Sequence, residues 1–347
     1  MTGVRLTTTH RLDADSFADI TRLVDAASSA DGFDALSEHK RLELVHALDR
    51  AARDTDGTEG TEGTEGTDGT DGTDGTDADP ADEFAAVFAH LPNRAEPVGY
   101  AQLNPAGTDG ALGLELVVHP RFREPEPDVA DTLLGAAVEE SGRMAGNRQP
   151  RTLRYWATHV TPRDDQVAAA HGLRPERDLI QMRRPLPLED PRPKVMTRAF
   201  VPGQDEEAWL YVNNRAFATH PEQGNWTVAT LLEREAEPWF DPAGFRLYEQ
   251  EGRLAASCWT KVHAETSPPM GEIYVISVDP DFQGRGLGRA LTVAGLDSLA
   301  AAGLRVGMLY VDGDNPALSL YQSMGFIEDH IDRSYTGSLG PSGSTTS

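Results

Sequence analysis

Apolar positions recur along this chain with two periods, and the places where the period changes mark the elements. Phe17, Ile20, Leu23 and Val24 share one helical face, and Leu42, Leu44, Val45 and Leu48 share another, so two helices are predicted near the start, joined by a loop over 31–38. From Glu83 the pattern becomes strand-like, with Glu83–Phe88, Pro97–Leu103, Gly113–His119 and Leu153–Thr158 as strands parted by turn residues. Beyond Pro185, Pro187, Pro191 and Pro193 the spacing predicts a helix over 207–212 and strands over 255–263 and 271–278. A helix over 290–300 and a strand over 305–311 follow. The fold class is α/β, helices on a mixed sheet.

The elements repeat. Glu115–Pro120 echoes Val275–Pro280, each an apolar strand closed by an x-Pro step. Between these marks and the pairs Gly172-Leu173 and Gly325-Phe326, each half holds a helix, a strand and a last short helix. We therefore expect two tandem copies of one unit, 1–187 and 195–336, with 188–194 as linker and 337–347 as a flexible tail. Thr-Glu-Gly and Thr-Asp-Gly triplets run from Thr55 to Gly75; the stretch 55–79 offers nothing to bury and is expected to form a disordered insert.

Candidate chemistry concentrates in Gly271–Arg289, where an apolar strand runs into a glycine turn and then a helix start. Successive backbone N–H groups there, aided by the helix dipole, form an anion cradle. The alternating Gly284, Gly286 and Gly288 fit neither a dinucleotide G-x-G-x-x-G nor a P-loop, since Arg289 follows and no Lys does. Gln283-Gly284-Arg285-Gly286-Leu287-Gly288 does resemble [Q/R]-x-x-G-x-[G/A], the pyrophosphate loop of the GCN5-related N-acetyltransferases (GNAT). Asn315-Pro316-Ala317-Leu318-Ser319-Leu320-Tyr321 through Gly325-Phe326 resembles the second half of that family's signature. The first copy departs from it: Arg121–Asp128 has no glycine, two prolines and three acids, and Ala168 stands where the second copy has Tyr321.

Composition narrows the partners. A formal charge of −25 over 347 residues disfavours nucleic acid and anionic membranes. No run of about 18 apolar residues occurs and the N-terminus lacks an apolar signal block, so a soluble, cytoplasmic protein is expected; we also expect a monomer. The single cysteine, Cys258, leaves neither a disulfide nor a cysteine-rich metal site; it is expected to be a packed core thiol, and no metal is expected.

Residue types suit acyl transfer to an amine. Glu272 at a strand edge can take a proton from the amine, directly or through water. A backbone N–H near Val278 can hold the thioester oxygen as charge develops, and Tyr321 can protonate the departing thiolate.

Over nearly all of the second half, including Asn213–Phe217, His220–Trp226, Trp239–Pro242 and Trp259–His263, the chain resembles the mycothiol synthases, a tandem-domain family among the GNAT enzymes. That resemblance implies transfer of acetyl from acetyl-CoA to the cysteinyl amine of a cysteinyl-glucosaminyl-inositol. It implies substrate contacts at Glu38, Glu222, Lys261, Glu272 and Tyr310. Acetyl-CoA contacts fall on Ile276, Ser277, Val278, Gln283, Gly284, Arg285, Gly286, Leu287, Gly288, Arg289, Asn315, Pro316, Ala317, Leu318, Ser319 and Leu320. A second, non-productive acetyl-CoA would use Leu116, Val117 and Val118. Two other readings stay open from the sequence: a GNAT enzyme acting on another small amine or a protein N-terminus, and a pair of CoA-binding sensor modules.

Overall fold

The computed structural model describes residues 3–56, 83–106, 110–123, 128–145, 151–189, 195–218, 220, 223–264 and 266–339. Most of the triplet insert, 124–127, 190–194 of the expected linker, Glu222 and 340–347 lie outside the described residues, as does the side chain of Glu38. The chain forms two compact units: one comprises the residues up to Glu176 together with those from Arg333 onward, and the other Arg177–Asp332.

In chain order the first unit contributes β1 (Arg5–Thr9), α1 (Ala14–Asp31), α2 (Glu38–Asp56), β2 (Ala85–His90), β3 (Gly99–Ala106), β4 (Ala111–Val118), α3 (Val129–Ala145), β5 (Arg151–Ala157), α4 (Pro162–Ala170) and the start of β6 (Arg174–Pro185). Its strands are ordered β1-β2-β3-β4-β5, antiparallel except for the parallel β4–β5 pair. Alternation along β2 explains the layers. Phe84, Ala86 and Phe88 pack with Ile20, Leu23 and Ala27 of α1, while Ala85, Val87 and Ala89 pack with Leu133, Leu134 and Ala137 of α3.

The second unit holds the rest of β6, then β7 (Arg198–Ala199), α5 (Glu206–Ala216), α6 (Val228–Glu235), β8 (Phe245–Gln250), β9 (Arg253–His263), β10 (Met270–Val278), α7 (Leu287–Ala301), β11 (Val306–Asp312), α8 (Ala317–Ser323) and the start of β12 (Ile327–Leu339). Its order is β6-β11-β10-β9-β8-β7. One face of β9 and β10 packs Ala256, Cys258 and Ile273 under Leu291 and Leu296 of α7. The other packs Trp259 and Val275 under Trp209 and Leu210 of α5. The duplication foreseen in the sequence is visible in the turns that follow the central strands. His119 Nδ1 accepts from the N–H of Arg121 at 3.2 Å, and Asp279 Oδ1 accepts from the N–H of Asp281 at 2.9 Å.

The units divide at 176/177 and 332/333, not at the proline-rich 188–194, and the reason is strand length. β6 runs on past Glu176 to pair with β11, from Leu179↔Asp312 to Pro185↔Val306. β12 returns its last residues to β5, from Arg333↔Ala157 to Leu339↔Arg151. The expected flexible tail is accordingly corrected at 337–339, which are laddered strand.

Candidate active site

The edge of β10 sets the geometry. On one side β10 pairs with β9 as far as Val278↔Ala256; on the other its parallel ladder with β11 has two pairs, Gly271↔Gly307 and Glu272↔Met308. Beyond Glu272 the strands diverge, and the β11-facing backbone of 273–278, including Ile276 and Val278, has no strand partner among the described residues. Ser277 turns its side chain away, its Oγ lying 2.8 Å from Ser257 Oγ under the indole of Trp209.

A register shift in β10 between Ile273 and Val275 keeps two unlike stretches on one face. Before it, Glu272 lies opposite Lys261; after it, Val275 lies opposite Trp259. Glu272 and Lys261 are both largely buried. Glu272 Oε2 lies 2.7 Å from His263 Nε2. The Lys261 ammonium sits 4.7 Å from the ring centre of Trp239 and 5.6 Å from that of Tyr274, a cation–π arrangement at the apolar end of the site. On the neighbouring strand, Tyr310 Oη accepts from Gln181 Nε2 at 2.7 Å, and Arg183 Nε donates to Gln181 Oε1 at 2.6 Å. Burial, then the charges of Asp332 and Glu272, push the Tyr310 phenol well above its ordinary range. The phenol is therefore protonated at neutral pH, and its oxygen accepts from Gln181.

Past β10, Pro280–Phe282 makes one short 3-10 turn and the chain enters Gln283–Gly288. Gly284 (φ 74°) and Gly286 (φ 77°) hold left-handed backbone that a side chain would strain. Gly286 is the N-cap of α7, so no side chain covers the first N–H groups of that helix. Gln283 Nε2 reaches Val278 O at 3.4 Å, and Arg285 Nη2 reaches Asp281 O at 3.2 Å. A Cβ on Gly288 would meet Leu320 Cδ2 at 3.7 Å, which places the start of α7 beside α8. Arg289 donates to Ser323 Oγ. Asn315 Oδ1 accepts from the N–H of Ala317 at 2.9 Å and Ser319 Oγ donates to Pro316 O at 3.1 Å, so Asn315, Pro316, Ala317, Leu318, Ser319 and Leu320 form a tight entry to α8. These residues fit a pyrophosphate: an uncapped helix start, open glycines and flanking arginines.

Tyr321 stands at the end of α8, 6% exposed, with its ring 5.9 Å from Phe326 in an edge contact. Gly325 (φ 82°) ends the helix and lets Phe326 fold back, its N–H donating to Tyr321 O at 3.1 Å. Burial, then nearby Cys258, pushes the Tyr321 phenol up to about 12, so it stays protonated at neutral pH. Cys258 itself is fully buried and its thiol is pushed up to about 12 by burial.

The second unit thus brings together Glu272, Lys261 and Tyr310 on one face, with the glycine cradle and Tyr321 past the divergent strands. Glu38 begins α2 in the first unit. Leu116, Val117 and Val118 end β4, and there the helix start differs: Asp128 Oδ1 accepts from the N–H of Asp131 at 3.1 Å, placing a carboxylate over the first turn of α3. The sequence reading missed His263, whose only signal was its place two residues beyond Lys261 on the same strand face.

A central sheet with a split parallel pair, a glycine cradle opening a helix and a buried tyrosine on the next helix define a GNAT acyltransferase. The acetyltransferase (GNAT) family description matches residues 208–326. The chain is 40% identical to a mycothiol acetyltransferase of Geodermatophilus obscurus over 335 residues, covering 94% of this chain and 95% of that protein. It is 48% identical to one of Thermomonospora curvata over 244 residues, 68% of this chain and 77% of that protein. A tandem GNAT protein from the clavulanic acid biosynthesis pathway, 17% identical, superposes over 98% of this chain and all of its own with a TM-score of 0.61, which shows the shared fold. The chain belongs to the mycothiol acetyltransferase family. No described helix is long and apolar enough to cross a membrane.

Proposed function

We propose that the chain transfers the acetyl group of acetyl-CoA to the cysteinyl amine of a cysteinyl-glucosaminyl-inositol, the last step in making mycothiol. The observation that carries this is the grouping of Glu272, Lys261 and Tyr310 on one sheet face beside the split between β10 and β11. Acetyl-CoA supplies the activated thioester. Glu272, held by His263, draws the proton from the ammonium, directly or through water, so that a neutral amine attacks. The β11-facing edge near Val278, without a strand partner among the described residues, offers an N–H to the carbonyl oxygen as charge develops on it. As the C–S bond breaks, Tyr321, still protonated well above neutral pH, gives its proton to the leaving sulfur. The second proton shed by the attacking nitrogen returns to the phenolate directly or through water. Lys261 and Tyr310 take the hydroxyls or carbonyl of the acceptor, with Glu222 as a further contact implied by the family.

The same reading assigns one working cofactor site per chain. In the second unit Gly286 leaves the start of α7 open, while in the first Asp128 already holds the first turn of α3. A chain carrying −25 formal charge and acting on a small, polar amine suits a cytoplasmic monomer. The test is to incubate purified protein with acetyl-CoA and the cysteinyl pseudo-disaccharide, beside a panel of polyamines, aminoglycosides and peptide N-termini, and locate the acetyl group by mass spectrometry. An amide on the cysteinyl nitrogen, formed with kcat/KM about 10²-fold above any other amine, is expected. Equal or better turnover of another amine would replace the assigned acceptor.

A further inference from the structure

The last turn of α5 carries three consecutive polar residues that reach two separate loops. Asn213 Nδ2 donates to Gln223 O at 2.9 Å. Asn214 holds Trp226 from both sides, its Nδ2 donating to Trp226 O at 2.8 Å and its Oδ1 accepting from the N–H of Trp226 at 3.0 Å. One residue further, Arg215 turns to the donor side. Its Nε donates to Asp279 Oδ2 and its Nη2 to Asp281 Oδ1, each at 3.1 Å. Asp279 is fully buried. Its other oxygen takes the N–H of Asp281, which fixes the short turn leading into Gln283.

Each side is built tightly enough for these contacts to set position. On the acceptor side, a Cβ on Gly224 would come within 2.4 Å of Phe217 O, so Gly224 lies close against the end of α5. The same loop reaches the strand of Tyr310: His220 Nδ1 accepts from the N–H of Gln223 at 3.1 Å, and His220 Nε2 lies 3.4 Å from Asp312 Oδ2. On the donor side, Asp279 is fully buried, and among the described residues Arg215 is the cation paired with it; removing that cation leaves a buried carboxylate without its ion pair. Arg253 also holds Asp281, at 2.9 Å, but its contact stops at that exposed carboxylate.

We propose that Asn214 and Arg215 are positioning residues for acetyl transfer. Asn214 places Trp226 and with it the residues 223–226 that follow His220, and Arg215 places the turn that presents the cofactor cradle. One helix end thereby registers acceptor against donor. This rests on the reading of those two loops as the acceptor and acetyl-CoA sides of the site.

The test uses the full chain and reads the two sides separately. Acetyl-CoA affinity is measured by calorimetry, the acceptor KM by steady-state kinetics, and folding by thermal melting, for Arg215→Met, Arg215→Lys, Asn214→Ala and the double variant Arg215→Met with Asp279→Asn. Arg215→Met is expected to weaken acetyl-CoA by about tenfold while the acceptor KM stays within about twofold. Arg215→Lys should recover part of that loss. The double variant should recover more of it than Arg215→Met alone, because the stranded carboxylate is gone. Asn214→Ala should show the opposite split. Wild-type acetyl-CoA affinity in Arg215→Met overturns the proposal, as does a parallel loss of both parameters in Arg215→Lys and Asn214→Ala, which marks plain destabilisation. Calorimetry needs no acceptor. A wild type that binds acetyl-CoA yet leaves the cysteinyl compound unmodified therefore defeats the assigned substrate without touching the Arg215 result.

Discussion

Nε2 of His263 lies 2.7 Å from Oε2 of Glu272, and the two side chains are 11% and 10% exposed. A carboxylate so far out of water needs a donor, and the imidazole beside it supplies one. His263→Leu should therefore lower kcat/KM for the acceptor by about tenfold, with acetyl-CoA affinity unchanged. Steady-state kinetics beside a cofactor titration check this. An acceptor kcat/KM equal to wild type would show that Glu272 needs no such support.

Glu272→Gln removes the base and keeps the shape. Its kcat should fall by about 10²-fold near neutral pH and recover in part as pH rises, because more of the amine is then already neutral. A pH–rate profile from 6.5 to about 9.5 decides it; a defect constant across that range would speak for a binding role alone.

The α7–β9 contact allows a stability prediction. A Cβ on Gly295 would lie 2.5 Å from Cys258 Sγ and 2.8 Å from Ile273 Cδ1, so Gly295→Ala should destabilise the fold by about 1–3 kcal/mol, read from denaturant unfolding. The buried thiol should resist a thiol reagent until the protein unfolds. Its pKa is raised from 9.0 to about 12, so the folded state holds the proton more tightly. That contribution is complete below pH 9 and is lost as pH rises towards 12; thermal midpoints across this window should fall.

Calorimetric titration should return one tight acetyl-CoA per chain. The start of α3 is taken by Asp128, which also pairs with Arg163, whereas the start of α7 carries no side-chain cap. Two sites of comparable affinity would contradict this asymmetry.

Much of the site was legible because backbone geometry restricts sequence. Only glycine serves at 284, 286 and 325 without strain, so the cradle and the end of α8 are written in residue spacing. Alternation along β2, β9 and β10 likewise exposed the strands and their two buried faces. What escaped notice depends on partners distant in the chain. Lys40 reads as one more charge on a polar helix, yet it is buried, with its ammonium donating to Asn104 Oδ1 and to Gly113 O. Burial, against the opposing charges of Glu115 and Glu43, brings its pKa down to about 8. Val45, placed on an apolar helical face by its spacing, is 44% exposed. The path of β12 was hidden because its last residues, Gly337 and Ser338, look like a tail and become strand through pairing with β5. The His263–Glu272 contact was hidden too, since it follows from the register of β9 on β10.

The central claim is that the second unit transfers acetyl by acid–base chemistry with Tyr321 as the acid, and Tyr321→Phe tests it most directly. The ring that packs on Phe326 remains while the proton held up to about pH 12 is gone. With both substrates saturating and the chemical step rate-limiting, kcat should fall by about 10²-fold with acetyl-CoA affinity near wild type. A wild-type kcat in that variant would leave Tyr321 as a core aromatic and contradict the account.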